Sequence, residues 1–302
     1  MRTLGDMLSY RGRRVAVTGV ASGIGAALVS QLSELGAEVV GLDTQEPTVR
    51  VNMFHPVDLS SPESIDAAVA AVDPVDGLFN VAGVSSGIGD SLLVVKINFL
   101  GMRQLTEALV ATMPTGASVV NVASLAASEY VSNASVVAGL SSTVDFADGV
   151  AWCQVHPDAL ADGGYRLSKQ AVILYGMEAA VRLGPRGIRI NCSAPGVTET
   201  PILDQLRAAY GQDYLDSFRA PLGRVSTPDE QAAVLAFLGS AAAGYITGQV
   251  IWADGGILAQ RGVGQLLGAS GATGNVVGAS GATGNVLGAS GATGDLTVED
   301  HA

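Results

Sequence analysis

The sequence predicts an α/β fold in which a single doubly wound domain surrounds a mainly parallel, seven-stranded sheet. Short β-rich apolar runs alternate with longer helical patterns from about 13 to 254, which is the order of βαβ units. Apolar residues make up 48% of the chain and charged residues only 15%, so a large core can form. We therefore predict one domain over 13–260, preceded by a lead-in over 1–12.

Seven segments have the composition of buried strands: 15–18, 38–43, 51–57, 77–81, 118–122, 188–191 and 249–252. Helical patterns lie between them, and two of these helices have clear N-terminal signals. Ser61 precedes Pro62, and Thr227 precedes Pro228 with Glu230 three positions later. Both are capping arrangements with proline in the first turn. Strands that alternate with helices in this way favour a parallel order in the sheet.

A glycine-rich segment, Thr18–Gly25 (TGVASGIG), follows the first strand and opens the first helix. Its glycines let the backbone approach a pyrophosphate, and the helix N-terminus supplies N–H donors and a positive dipole end. A glycine-rich turn without a ligand is the alternative, which the strand before it and the helix after it disfavour. The sequence thus predicts a dinucleotide site of the Rossmann type, with contacts from Gly19, Ser22, Gly23, Ile24 and Gly25.

Asp43 ends the second strand, 18 residues after Gly25, where a carboxylate can accept hydrogen bonds from the adenosine ribose. The same charge would repel a 2′-phosphate. Neither the glycine loop nor Thr44 offers a basic residue, so we predict NAD rather than NADP. Asp58, at the end of the third strand, is predicted to bind the adenine amino group, with a turn aspartate before a helix as the alternative.

Tyr165 and Lys169 stand four residues apart, so in a helix they share one face. A phenol has a pKa near ~10, and bringing it to neutrality needs roughly 4 kcal/mol, which a cation at ~4 Å can supply at reduced dielectric. Lysine occurs only at Lys96 and Lys169 among 16 basic residues. The pair indicates proton transfer chemistry, and an exposed helix carrying both by chance is the alternative.

These motifs together resemble the short-chain dehydrogenase/reductase family over roughly 13–260. The resemblance rests on Thr18–Gly25, Asp58-Leu59, Asn80–Gly83, Asn98, Ser124, Tyr165 with Lys169, Pro195–Thr198, Ile246–Gly248 and Asp254–Gly256. It implies a catalytic set of Asn98, Ser124, Tyr165 and Lys169. It also implies cofactor contacts from Leu59, Asn80, Ala82, Gly83, Tyr165, Lys169, Pro195, Val197 and Thr198, in addition to the loop and the two aspartates.

The resemblance assigns each group a role. Tyr165 would exchange a proton with the substrate oxygen, and Ser124 would hydrogen-bond that oxygen. Lys169 would lower the pKa of the tyrosine and bind the nicotinamide ribose. Asn98 would anchor a water linking Lys169 to solvent, or else satisfy a backbone group. Asn80 would lie at the sheet edge beside the cofactor, and 195–198 would hold the carboxamide end.

Ser124 and Tyr165 are 41 positions apart, and the intervening segment 125–162 is too long for an ordinary loop. We expect short helices there that wall a pocket or form a subunit contact. This insertion is similar to one in bacterial 3α-hydroxysteroid dehydrogenase/carbonyl reductases and in coniferyl-alcohol dehydrogenases. The similarity implies an NAD-dependent enzyme for a bulky apolar secondary or allylic alcohol and its carbonyl.

The segment 198–222 is predicted to be a lid over the substrate, or in part a helix packed on the core. Six of its residues could form the apolar face of such a lid: Ile202, Leu203, Leu206, Tyr210, Tyr214 and Phe218. Family members are usually oligomers, so a homodimer or homotetramer is expected. Two other functions remain open: a ketoacyl-type carbonyl reductase, and an NAD-binding regulator without turnover.

A net charge of −12 argues against nucleic acid or an anionic membrane as partner. Cys153 and Cys192 have neither metal-ligand nor disulfide spacing, so we expect no metal and a cytoplasmic setting. No segment reads as a signal peptide or a membrane span.

The segment 261–302 is a Gly/Ala/Ser/Thr-rich tail with three decapeptide copies over 266–295 (LLGASGATGN, VVGASGATGN, VLGASGATGD). Such sequence buries too little apolar surface to offset its ordering entropy, which predicts a flexible tail. A self-association or partner-binding segment is the alternative.

Overall fold

The structure, a computed structural model, describes residues 2–267. Almost all of the decapeptide repeats and the rest of the predicted tail, 268–302, lie outside the described residues, and so does the side chain at 214 in the predicted lid. Within 2–267 no helix combines the length and apolarity that crossing a bilayer requires.

Seven strands form one parallel sheet. In chain order they are β1 (Arg14–Thr18), β2 (Glu38–Asp43), β3 (Met53–Pro56), β4 (Gly77–Asn80), β5 (Ser118–Val122), β6 (Arg189–Pro195) and β7 (Val250–Ala253). Their order in the sheet is β3-β2-β1-β4-β5-β6-β7. The order reverses between β1 and β4, and open α/β sheets bind ligands at the carboxyl ends of their strands at such a point. The predicted fold class is confirmed.

Helices cover both faces of the sheet. They are α1 (Leu4–Leu8), α2 (Gly23–Glu34), α3 (Pro62–Ala71), α4 (Ser91–Val95), α5 (Met102–Val110), α6 (Ala134–Ser141), α7 (Phe146–Val155), α8 (Tyr165–Leu183), α9 (Pro201–Tyr210), α10 (Gln212–Asp216), α11 (Pro228–Gly239) and α12 (Ile257–Leu267). One apolar core contains α2 and α11, and a second, on the other face, contains α3, α5 and α8. A π-helical turn, Lys96–Gly101, joins α4 to α5.

The segment 125–162 folds as short helices, as its sequence predicts: α6, α7 and the 3₁₀ turns Leu125–Ala127 and Pro157–Leu160. Arg103 of α5 holds this segment in place and is only 7% exposed. Its guanidinium donates to the backbone oxygens of Ser141, Thr143 and Asp145 at 2.8–3.0 Å and to Thr143 Oγ1 at 3.1 Å. One buried side chain therefore satisfies four acceptors of the insertion.

Apart from shifts of one or two residues at strand ends, three features differ from the sequence prediction. The lead-in contains α1, which Thr3 and Asp6 close with a reciprocal capping box. Strand β6 extends to Pro195 because its second half pairs with β7, a long-range contact that local composition does not reveal. Helix α12 runs through Leu267, so 261–267, which the sequence assigned to the flexible tail, is helical.

Candidate active site

A cleft of about 930 Å³ opens at the carboxyl ends of the strands. The glycine loop and Asp43 line one end, and the segments that carry Ser124 and Tyr165 line the middle. The lid helices α9 and α10 line the other end. Most of the residues predicted for the cofactor lie in this lining: Gly19, Ser22, Gly23, Ile24, Gly25, Asp43, Asp58, Leu59, Ala82, Gly83, Pro195, Val197 and Thr198.

The glycine loop is packed so closely that side chains cannot replace its glycines. Gly19 has φ 76°, and a Cβ there would lie 2.8 Å from the backbone of Ala82. A Cβ on Gly25 would lie 1.9 Å from the carbonyl oxygen of Gly19. Ser22 is the N-cap of α2, but its side chain makes no capping hydrogen bond. The first N–H groups of α2 are thus left without a side-chain cap, as a phosphate-binding helix requires.

The Asp43 carboxylate is fixed beside this loop. Its Oδ2 accepts from the N–H of Ala21 at 3.0 Å, and its Oδ1 accepts from the N–H of Gln45 at 3.1 Å. Asp58 is exposed, and its Oδ1 accepts from the N–H and the hydroxyl of Ser60 at 2.8 and 2.7 Å. Both aspartates line the cleft. Asp58 also stabilises the turn before α3, which is the alternative role that the sequence analysis gave it.

Asn80 is not in the lining of the cleft. It is 3% exposed, and its Nδ2 donates to Thr106 Oγ1 and Asn121 Oδ1, both at 2.8 Å. Thr18 has the positioning role at this strand end, because its Oγ1 accepts from the N–H groups of Val81 and Ala82 at 3.0 Å. The sequence analysis included Thr18 only as part of the glycine motif and did not predict this role. The position of Thr18 directly before Gly19 could have indicated it.

Tyr165 and Lys169 lie on the first turns of α8, and both line the cleft. The ammonium of Lys169 lies 5.9 Å from the centroid of the Tyr165 ring and donates to the carbonyl of Val122 at 2.8 Å. Burial lowers the pKa of Lys169 to about 8. The helix begins here because Gly164, with φ 72°, passes against α4: a Cβ would lie 2.4 Å from the Ser91 carbonyl oxygen.

Ser124 follows β5 and lines the same part of the cleft, half-buried. Its Oγ accepts from the N–H of Ala126 at 3.2 Å, which leaves the hydroxyl proton free to donate. This turn orients the hydroxyl of Ser124 at the strand end. Ser124, Tyr165 and Lys169 therefore share one region of the cleft.

Asn98 lies in the π-helical turn and is 2% exposed. Its Oδ1 accepts from the N–H of Val84 at 2.8 Å, and its Nδ2 donates to the carbonyl of Val84 at 2.9 Å. The amide thus satisfies a backbone segment, which was the alternative role. It remains close to Lys169, since a Cβ on Gly83 would lie 3.0 Å from Asn98 Oδ1 and 3.4 Å from Lys169 Nζ.

The segment 195–198, at the end of β6, lines the cleft and is supported by contacts with Ser226 and Asp254. Thr198 is 7% exposed, and its hydroxyl lies 2.9 Å from that of Ser226. Gly196 packs so closely on Asp254 that a Cβ would lie 2.9 Å from its Cα. This segment is therefore a rigid wall rather than a loose loop.

The lid helices cover the far end of the cleft and contact its other side. Tyr210 donates a hydrogen bond to Ser86 Oγ at 3.0 Å, and Ser85 Oγ donates to Gln205 Oε1 at 3.4 Å. Apolar lid residues line the cleft as predicted, namely Ile202, Leu203, Leu206, Tyr210 and Phe218. Leu203 also packs inward and is 7% exposed, as expected of a helix packed on the core, and a lid over the substrate stays a prediction.

Comparison with known proteins identifies the family. A profile described as short chain dehydrogenase matches residues 13–138, and one described as enoyl-(acyl carrier protein) reductase matches 158–258. Coniferyl-alcohol dehydrogenase from Pseudomonas sp. (strain HR199) is 37% identical over 247 residues, which cover 81% of this chain and 96% of that protein. The chain belongs to the short-chain dehydrogenase/reductase family. The predicted resemblance is confirmed.

Two further relatives agree with the family. The 3-alpha-hydroxysteroid dehydrogenase/carbonyl reductase of Comamonas testosteroni is 31% identical over 252 residues, covering 80% of this chain and 95% of that protein. The crystal structure of a 3-alpha-hydroxysteroid dehydrogenase from Pseudomonas sp. B-0831 complexed with NADH superposes with a TM-score of 0.70 at 33% identity. The superposition covers 85% of this chain and 99% of the Pseudomonas chain. The protein is thus an oxidoreductase with the fold of alcohol-oxidising relatives.

Proposed function

We propose that this oxidoreductase uses NAD(H) to interconvert a bulky, largely apolar secondary or allylic alcohol and its carbonyl compound. The observation that carries the proposal is the grouping of Ser124, Tyr165 and Lys169 in one cleft with the glycine loop and Asp43. The relatives named for coniferyl alcohol and 3α-hydroxysteroids support the substrate class. Apolar lid residues at the far end of the cleft support it as well.

The residues of the cleft fit a nicotinamide dinucleotide. The glycine loop would hold the pyrophosphate for two reasons. Its glycines leave the backbone accessible, and the first N–H groups of α2 have no side-chain cap. Asp43 would accept hydrogen bonds from the adenosine ribose, and 195–198 would hold the carboxamide end. When bound, the cofactor supplies or takes up the hydride, and the protein provides placement and proton transfer.

NAD is favoured over NADP by charge. The carboxylate of Asp43 is held beside the glycine loop, and a 2′-phosphate bound there would meet a like charge. The cations that line the cleft are Arg166, Lys169 and Arg261, which belong to α8 and α12. The lining at the adenosine end, formed by the glycine loop and residues 42–45, includes no cation that could offset Asp43.

Proton transfer follows from the geometry of three side chains. Tyr165 accepts the proton of the reacting hydroxyl at its phenolic oxygen during oxidation and returns it during reduction. Ser124 donates its hydroxyl proton to the same substrate oxygen. The ammonium of Lys169, held by Val122, stabilises the phenolate. Asn98 acts as a positioning residue, since it holds the backbone of Val84 next to Gly83 and Lys169.

The partner we propose is this small-molecule substrate, an apolar alcohol or its carbonyl compound, with no nucleic acid, membrane or metal involved. Two cysteines without a disulfide between them are consistent with a reducing cytoplasm. A homodimer or homotetramer is the proposed assembly.

A substrate screen tests the proposed function. NADH formation is followed with the purified protein, NAD⁺ and three alcohols: a 3α-hydroxysteroid, coniferyl alcohol and cyclohexanol. We expect turnover of at least one of the two bulky alcohols at a higher kcat/KM than that of cyclohexanol. Preference for cyclohexanol would contradict the substrate class. A flat trace with all three, and with the matching ketones or aldehyde and NADH, would instead favour the regulator without turnover.

A further inference from the structure

We propose that Arg261 selects substrates that carry a carboxylate at the end remote from the reacting carbon. The inference rests on the proposed function, because it concerns the substrate half of the same cleft. Arg261 lies beyond the domain boundary that the sequence predicts, and it reaches the cleft only because α12 continues the fold.

Helix α12 is anchored so that Arg261 has a defined place. The Asp254 carboxylate is 8% exposed and accepts from the N–H groups of Gly256 and Leu258 at 2.9 and 2.8 Å. Ile257 is buried at 4% exposure and fixes the first turn. Arg261 lies one helical turn further along, half-buried, and lines the cleft together with Leu215 and Phe218. The helix therefore brings Arg261 into the cleft lining from an anchored first turn.

Arg261 differs from the other two cations of the cleft lining in its lack of a partner. Arg166 is paired with Asp162 at 2.8 Å, and Lys169 donates to Val122. Among the described side chains, which do not include those at 214 and 216, the guanidinium of Arg261 has neither a hydrogen-bond nor an ion-pair partner. A half-buried charge without a partner is costly, and a ligand that supplies one gains binding energy. The planar fork of arginine matches a carboxylate with two parallel hydrogen bonds.

The position of Arg261 points to the substrate rather than to the adenosine end of the cofactor. Helix α12 follows β7, which lies five strands from β2 and Asp43, or about 24 Å at ~4.8 Å per strand. Outside the adenosine end, the acidic residues that line the cleft are Asp162, which is paired with Arg166, and Glu129, which is exposed and follows β5. Strand β6 separates β5 from β7, so Glu129 and Arg261 approach the cleft from different strand ends.

The experiment compares acids with their methyl esters. The probes are 4-(1-hydroxyethyl)benzoic acid and 4-(4-hydroxycyclohexyl)benzoic acid, each beside its ester, so that the carboxylate lies at two distances from the alcohol. For each pair we measure the ratio of kcat/KM for acid over ester. The ratio should exceed one in the wild type for at least one pair and fall about tenfold or more in Arg261→Gln. Arg219→Gln, an exposed arginine outside the cleft lining, should keep the ratio.

Binding is measured in parallel, so that the inference does not depend on turnover. The shift in melting temperature caused by each acid in the presence of NADH should be larger than that caused by its ester, and Arg261→Gln should remove the difference. If no alcohol is oxidised but this shift depends on Arg261, the proposed function fails and the inference stands. A wild-type preference for esters in both measurements, or a ratio that Arg261→Gln leaves unchanged, would overturn the inference. A weaker affinity of Arg261→Gln for NADH alone would overturn it as well, since Arg261 would then bind the cofactor.

Discussion

The ammonium group of Lys169 lies in a site that is almost closed to water. Burial disfavours its charged form, so its pKa falls to about 8. The hydrogen bond to Val122 and the adjacent Tyr165 ring keep the ammonium oriented in the cleft. The same burial that orients the group also costs stability while the group is charged.

Lys169→Met should change how stability depends on pH. The wild-type lysine binds its proton more weakly when folded, at about 8, than in the unfolded chain, at 10.5. Between these values the unfolded state holds more protons, so wild-type stability rises with pH relative to the variant. We expect a relative gain of about 2 kcal/mol from pH 8 to pH 10. Urea unfolding of both proteins across this range measures it, and parallel curves would contradict the lowered pKa.

Asp43→Asn tests the choice of cofactor more sharply than Asp43→Ala. Asparagine keeps an oxygen that can accept from the N–H of Ala21, so the glycine loop stays supported while the charge is removed. We expect the ratio of the Kd values for NADPH and NADH to fall at least about tenfold. Fluorescence titration gives both constants. Asp58→Asn is the matched control, and an equal effect of the two variants would mean that general charge, not Asp43, sets the preference.

Residue types alone predicted which segments meet in the cleft but not which way each side chain faces. Asn80 and Asn98 were assigned to the site, and the structure shows both amides bonded to neighbouring protein groups. Either amide could have faced the cleft or the core, because asparagine suits both. Thr18 was overlooked for the same reason, since its hydroxyl acts on the backbone of a distant strand.

Among the elements, the insertion between β5 and α8 is held by a side chain of another element, Arg103 of α5. Arg103 is buried below α6 and α7 and binds four acceptors of the 141–145 turn. It also stacks over the Phe99 ring, with its Cζ 5.2 Å from the centroid. The sequence predicted the short helices of this segment but not this anchor, because the contact joins positions about forty residues apart.

Arg103→Met should destabilise the protein by about 2–4 kcal/mol, since methionine leaves one buried and three part-buried acceptors without the guanidinium donors. Chemical denaturation measures this change. Arg182→Met is the control, because Arg182 forms an exposed ion pair with Glu107 and such pairs contribute under about 1 kcal/mol. Equal losses for the two variants would show that the buried hydrogen bonds of Arg103 do not support the insertion.

At the scale of the whole molecule, one sheet joins the parts that the two family profiles match. Strands β1 to β5 fall within 13–138, and β6 and β7 fall within 158–258. The pairing of β5 with β6 connects the two parts through five registered residue pairs. The alternation of strands and helices was readable from the sequence, whereas the strand order and the end of α12 required the folded chain.

Because the sheet is continuous, NADH should stabilise the molecule as a unit. At a hundredfold excess over its Kd, a ligand adds about 2.7 kcal/mol. For a chain of this size that corresponds to a rise of about 5 °C in Tm. Differential scanning calorimetry should show one transition that moves as a whole, and less so with NADPH at the same concentration. Two transitions, of which only one moves, would contradict a single cooperative domain.

The central claim is that Tyr165 transfers the proton beside a bound cofactor, and Tyr165→Phe tests it most directly. The substitution removes one oxygen and keeps the ring. We predict that turnover of the best alcohol found in the screen falls by about a thousandfold or more, while the Kd for NADH changes less than about threefold. Tyr245→Phe, at a fully exposed tyrosine, serves as control. Turnover retained within tenfold in Tyr165→Phe would contradict the account.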